Sequence, residues 1–351
     1  MKRDLSERRA MRLATRANGT ADGELIVVSE DRRRALGAGP RWPNLLAAFA
    51  EWSAAEADLS AVAARLAAGQ GAALDPTSLR APLPRSWQWL DGSAFQVHAD
   101  LMQVAFGTDP LPSDKPLMYQ GLSDRFYGPF EPVPFRSEAD GIDFEGEYGV
   151  IVDAVPMGTH AAEAQSHIKL IVQLNDWSLR SLAVPEMKTG FGWIQAKPPC
   201  SMAPFAITPG ELGAAWHDGR VCLDLAIDWN DKRFGNANGR EMRFGFHELI
   251  AHAAATRDLV AGTIIGSGTV ANADYAKVGS SCISERRAIE IISDGKPKTG
   301  FMAFGDRVRM EARFPNGDGP FGAIAQQVNH IRIENSRATS SPASVAPHKG
   351  G

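Results

Sequence analysis

The sequence predicts an α+β protein: a larger mixed β-roll or barrel-like domain, preceded by a small α+β N-terminal domain. Three observations carry that expectation. From Pro116 to about residue 333 the apolar stretches are short, β-branched and broken by Gly and Pro (YGVIV, KLIVQL, VCLDLAI, GTIIGSGTV, RAIEII), which is how strands read. Few stretches in that region carry a helical period, so the sheets have to roll around one another. By contrast, residues 43–68 are alanine-rich, with Leu45, Phe49, Trp52, Leu59, Val62 and Leu66 at helical spacing.

Taken in order, MRLATRANGTADGELIVVS reads as two strands around the turn-rich N-G-T-A-D-G. The alanine-rich helix follows, with Gly69 placed to end it. Pro82, Pro84 and the DGS at 91–93 break the pattern, and AFQVHADLMQVAF at 94–106 reads as a short helix. Two further helices are expected, one opening near Thr159 and one at FHELIAHAAA. The expected organisation is an N-terminal domain over 1–90, a lid or linker over 91–115 and the larger domain over 116–334. The Ser/Pro/Gly/Ala-rich tail, 335–351, has almost nothing to bury and reads as disordered.

A net charge of −4 gives no general attraction to nucleic acid or an acidic membrane. No apolar run reaches the roughly 18–20 residues of a membrane span. The basic start MKRDLSERRAMRL has no apolar core for a secretory signal, and Asp4 and Glu7 argue against a transit peptide. Three cysteines without a C-x-x-C pair fit a reducing compartment, hence the cytoplasm. Cys200 is read as a small buried hydrophobe rather than a nucleophile.

The sharpest chemical signal is G-I-D-F-E-G-E-Y-G-V-I-V, residues 141–152. Three acids, Asp143, Glu145 and Glu147, stand in a strand-like segment without a lysine or arginine. Side chains alternate along a strand, so Ile142, Phe144, Tyr148, Val150 and Val152 share one face and the acids the other. Glu145 and Glu147 then lie about 6.5–7 Å apart, close enough to converge on one cation. Oxygen-only ligation suits Mg²⁺, Mn²⁺ or Ca²⁺. The competing reading is a solvated acidic edge. A third acid, Asp176, ends the apolar run before N-D-W-S-L-R.

DFEGEYGVI, then QLNDWSLR, then the A-K-P-P at Lys197, AGTIIGSGTV and FGDRVRMEA occur in this order. Together they resemble the fumarylacetoacetate hydrolase family, from Pro116 to Arg313. The resemblance implies a catalytic domain of that family's type, with a divalent metal on Glu145, Glu147 and Asp176 and a fourth aspartate upstream at Asp124. It implies that Lys197 stabilises an oxyanion, and that Arg180 and Thr269 bind substrate. A histidine base falls on His98. The acid expected three residues on is Leu101, so Glu285, in C-I-S-E-R-R, is taken as its partner. The reaction implied is metal-dependent C–C hydrolysis of a small 2-oxo or 1,3-dicarbonyl acid, fumarylacetoacetate or acylpyruvate in type, by a homodimer. An isomerase, decarboxylase or hydratase on the same platform is the alternative. A binding protein that keeps only the fold is a third reading.

Two motifs carry no chemistry. AGTIIGSGTV lacks the G-x-G-x-x-G and P-loop patterns of nucleotide sites. His247 and His252 are spaced i,i+5, which splays the rings by about 140° around a helix.

Overall fold

The computed structural model describes residues 10–107 and 114–331. The tail from 335, the first nine residues and 108–113 of the expected lid lie outside them. An open sheet of eleven strands forms the backbone of the molecule. Its path runs Ala72–Ala73, Arg34–Gly37, Glu24–Val28, Arg12–Arg16, Ala206–Ile207, Ile168–Asn175, Gly146–Val152, Ile264–Gly266, Trp89–Gly92 and Met118–Gly121, with Ser201–Met202 also paired to Ile168–Asn175. Only Ile264–Gly266 and Trp89–Gly92 pair in parallel there. A five-stranded sheet holds Lys232–Asn238, Asp224–Trp229, Arg307–Arg313, Ile324–His330 and Val133–Phe135. Neither path closes on itself, and the mixture of sheets and helices is the expected α+β class.

The N-terminal hairpin forms as the turn residues predict, with Arg12–Arg16 antiparallel to Glu24–Val28. It continues the main sheet: Arg12 and Leu13 pair with Ile207 and Ala206. The predicted helix 43–68 is two helices, Leu45–Ala50 and Trp52–Ala67, split at Glu51, whose ψ is 48°. Asn44 caps the first through its side chain, which accepts the Ala47 N–H at 2.9 Å. All six apolar residues of the predicted stripe are buried. They pack with Leu25, Val27 and Ile264 on one side of the main sheet, while Tyr148, Val150 and Val152 build the core on the other.

Two expectations need correction. RAIEII is not a strand but part of the helix Ile283–Asp294. Isoleucines there mimic a strand, yet Cys282 caps the helix start and Gly295, at φ 76°, its end. The segment 142–152 is not one continuous strand either. It breaks at Phe144 and Glu145, with Ile142–Asp143 paired to Ser178–Leu179 and Gly146–Val152 central in the main sheet. The acids are buried, so the solvated-edge reading fails.

Candidate active site

Three neighbouring parts of the main sheet converge on a buried acidic cluster. Asp91, Glu147 and Asp176 each bring a carboxylate oxygen within 4.8 Å of the others. Glu147 sits on the central strand opposite Leu174, and Asp176 follows the end of that partner strand. Asp91 lies one strand beyond Ile264–Gly266, where Gly266 is paired with both Gly149 and Asp91. A Cβ on Gly266 would stand 2.2 Å from Asp91 Oδ1. Glycine there leaves the space in which Asp91 and Glu147 approach. The Gly268 N–H then donates to Asp91 Oδ1 at 3.2 Å. So the G-S-G-T stretch makes room for one acid, holds it, and presents Thr269.

Burial, and then the neighbouring acids, push both Asp91 and Glu147 well above the usual carboxylate range. Neither Glu147 oxygen has a hydrogen-bond partner among the described residues, although the side chain is fully buried. A buried carboxylate crowded by two other acids, with no cationic side chain on it, suits a hard divalent cation. The donor set therefore suits Mg²⁺, Mn²⁺ or Ca²⁺.

Glu145 stands beside this cluster, not within it. Because the strand breaks there, its carboxylate turns to cations. It is ion-paired with Arg180, accepts from Lys197 Nζ at 3.0 Å and from Ser178 Oγ at 3.1 Å. Burial would raise its pKa, but Arg180 and Lys197 outweigh that and hold it below the usual range. Lys197 bridges the two groups of acids, reaching Asp176 Oδ2 at 2.5 Å. Burial would lower its pKa; Asp176 and Glu145 more than compensate, so it stays charged. Asp176 also accepts from Tyr119 Oη at 2.6 Å and from Cys200 Sγ at 2.8 Å. Burial first, and then Asp176, raise the Cys200 thiol, which keeps it neutral and supports the non-nucleophile reading.

The histidine and its chosen partner meet across 187 residues of sequence: His98 Nδ1 is 2.8 Å from Glu285 Oε1. The other Glu285 oxygen accepts the Ser281 N–H at 3.0 Å. Meanwhile Cys282 Sγ accepts the Glu285 N–H at 3.3 Å. The Cys282 cap and the Ser281 N–H together fix the start of helix Ile283–Asp294 with Glu285 against His98. Arg180 is fixed by Asp143, whose Oδ2 accepts its Nε–H at 2.8 Å. Asp91, His98, Glu145, Arg180, Lys197 and Thr269 line one cavity of about 370 Å³. Thr269 Oγ1 is buried without a partner among the described residues.

Asp124 is a correction. It is exposed, on the turn after Met118–Gly121, and stands outside the acidic cluster. Asp91 stands in the cluster instead. The sequence signal for it was an acid seven residues before His98, in D-G-S-A-F-Q-V-H, masked by its reading as a loop breaker. Tyr119 is a further site residue that no local pattern marked, whereas Ser178 and Asp143 stand inside segments already singled out but with no role assigned to them there. His247 and His252, as expected, line no part of this cavity.

Comparison with known proteins agrees with this architecture. The pattern described as "Fumarylacetoacetate (FAA) hydrolase C-terminal" matches residues 88–329, and "Fumarylacetoacetase N-terminal domain 2" matches 11–85. A 2,4-didehydro-3-deoxy-L-rhamnonate hydrolase from Sphingomonas sp. (strain SKA58) is 26% identical over 163 residues, 46% of this chain and 54% of that protein. A mitochondrial oxaloacetate tautomerase of Bos taurus is 23% identical over the same length, 46% of this chain and 49% of its own. The chain thus spans about half the length of these curated relatives. Among solved structures, maleylpyruvate hydrolase from Sphingobium sp. SYK-6, in complex with manganese(II) ion and pyruvate, superposes with a TM-score of 0.62 at 18% identity, over 92% of this chain and all of that one. Fumarylacetoacetate hydrolase from Exiguobacterium antarcticum gives 0.59 at 15% identity, over the same shares. These structural likenesses establish the fold. With its matched region covering most of its length, the chain belongs to the fumarylacetoacetate hydrolase family.

Proposed function

We propose that the protein is a divalent-cation-dependent hydrolase that cleaves a C–C bond in a small 1,3-dicarbonyl acid of the fumarylacetoacetate or acylpyruvate type. One observation carries the reading: a single cavity of about 370 Å³ is lined by Asp91, Glu145, Lys197 and His98, and from it Lys197 reaches Asp176 and His98 reaches Glu285. Asp91, Glu147 and Asp176, with Glu145 beside them, would hold the cation, which supplies Lewis-acid charge and a template for the substrate's oxygens. Glu285 beside Nδ1 holds the Nδ1–H tautomer of His98, which makes Nε2 the nitrogen that takes a proton from water. The water oxygen bonds to the distal carbonyl carbon. The Lys197 ammonium and the Thr269 hydroxyl face the oxyanion that develops there. When the C–C bond breaks, its electron pair leaves with the 2-oxo acid fragment as an enolate. His98 returns a proton to it, giving a carboxylic acid and a 2-oxo acid.

Isomerisation or tautomerisation is the second reading, along with decarboxylation or hydration. The tautomerase name of one relative supports it, because the same base can move a proton without delivering water. Acylpyruvates and 2-oxo acids assayed with Mg²⁺, Mn²⁺ and EDTA separate the readings by product. Chain-cleaved acids support hydrolysis, rearranged substrate supports isomerisation, and no product at any metal level leaves a binding protein. His98→Ala lowers the rate by about 10²–10⁴-fold while cation affinity stays near wild type. An unchanged rate removes His98 as the base.

A homodimer belongs to the same proposal. Phe191 and Ile194 are 97% and 85% exposed, an apolar surface that self-association would cover. Sedimentation equilibrium reads the state. No described helix is long and apolar enough to cross a membrane.

A further inference from the structure

We propose that Glu186, a surface carboxylate outside the cavity, is the residue that positions Lys197. The inference rests on the role given to Lys197 above. Helix Arg180–Thr189 begins with the arginine that grips Glu145 and ends at Gly190, φ 72°. The chain then doubles back through Gly192, φ 98°, and reaches Lys197. Nothing in residues 190–196 belongs to a helix or strand, yet the segment has to deliver an ammonium group to a fixed point between two buried acids.

Glu186 supplies the missing fastening. Its carboxylate accepts three consecutive backbone N–H groups: Ile194 at 3.1 Å, Gln195 at 2.8 Å and Ala196 at 3.1 Å. The Ala196 carbonyl is held from the other side by the Leu179 N–H at 2.8 Å. The residue before Lys197 is therefore pinned at both its N–H and its C=O. Trp193, in the same loop, packs edge-on to Tyr119 at 6.1 Å, and Tyr119 in turn donates to Asp176. The Glu186 fastening and the Trp193 ring contact thus lie next to Lys197 and to the tyrosine that holds Asp176. Slight burial would raise the Glu186 pKa, but the three N–H groups prevail and hold it below the usual range. The carboxylate form is the one that fastens. A glutamine has one acceptor oxygen and cannot serve three donors with the same strength.

The test compares wild type, Glu186→Gln and Glu186→Asp in manganese-loaded protein. Three readouts are used: amide hydrogen exchange at 194–196, the rate at which an amine-reactive reagent labels Lys197, and kcat and KM on whichever substrate of the panel turns over. In Glu186→Gln, exchange at 194–196 speeds up and Lys197 labels about tenfold faster as the loop opens. The kcat falls by about tenfold to a hundredfold, as small displacements of a catalytic group do. KM and Mn²⁺ affinity stay within about twofold, since Glu186 lines no part of the cavity and stands outside the acidic cluster. Glu186→Asp, which keeps the charge, recovers part of each loss. Faster exchange with wild-type labelling and kcat would show that Glu186 only ties down a surface loop, and would overturn the proposal. So would unchanged exchange. If the wild type turns over nothing, the reaction proposed above fails; labelling of Lys197 then decides for or against Glu186 by itself.

Discussion

Glu147→Gln is expected to abolish both turnover and divalent-cation binding, and to make the cation-free protein more stable. The two halves have one cause. Glu147 is fully buried, its oxygens have no partner among the described residues, and Asp91 and Asp176 crowd it. Without a cation, each negative charge there opposes folding, and an amide of the same shape relieves it. With a cation, the amide is a poor ligand and the charge balance is lost. The pH dependence follows. Asp91 and Glu147 have folded pKa values raised by burial and then by neighbouring acids, against about 4 in the unfolded chain. In EDTA, stability is therefore full below that value and is lost as pH rises through the raised values. Glu147→Gln flattens the fall, and saturating Mn²⁺ removes it in the wild type. Thermal unfolding across pH with and without the ion measures both effects. A variant less stable than wild type in EDTA would show that Glu147 has a protein partner after all.

Asp143→Ala is expected to cost about 3–5 kcal/mol, the scale of breaking a buried ion pair from one side. The residue is fully buried and accepts three donors: Arg180 Nε at 2.8 Å, and the N–H groups of Ile283 and Ser284 at 2.7 and 3.0 Å. Its removal leaves the Arg180 Nε–H and two N–H groups at the start of a helix without their acceptor, and leaves Glu145 as the remaining anion on Arg180. The helix dipole adds to the loss, since its positive end faces this acid. Asp143→Asn keeps the shape and one acceptor oxygen, and should cost less. Activity should fall beyond what unfolding explains, because Glu285 lies two residues after Ile283 and follows the helix start. Denaturant unfolding, with activity assayed below the transition, separates the parts. A change below about 1 kcal/mol would show the acid to be a bystander.

The candidate site was legible where chemistry lay in one short stretch. Glu145, Glu147, Asp176, Lys197 and Arg180 sit within a few residues of strands whose apolar runs are plain. His98 and Glu285 could be named but not joined by any local rule, and the structure joins them. Asp91 was hidden for a topological reason. It reaches the cluster through parallel pairing with Gly266, 175 residues further along the chain, and neither periodicity nor spacing encodes such a pairing. The break between Phe144 and Glu145 was equally silent. Alternation gave both glutamates one face, whereas the bridge from Glu145 to Cys282 turns the first toward Arg180. Among the elements, the helix Ile283–Asp294 was missed because isoleucines signal strands more loudly than a cysteine cap signals a helix.

The seam between the two matched regions has a mechanical meaning. Met11 and Thr208 exchange backbone and side-chain hydrogen bonds at 2.9 and 3.0 Å, beside the pairing of Arg12 with Ile207. The front of the chain is not a bead on a string but the outer planks of the same floor. Cutting the chain after residue 85 would bare a row of unpaired amides along Ala206–Ile207, a sticky margin that invites clumping rather than an independent, smaller enzyme.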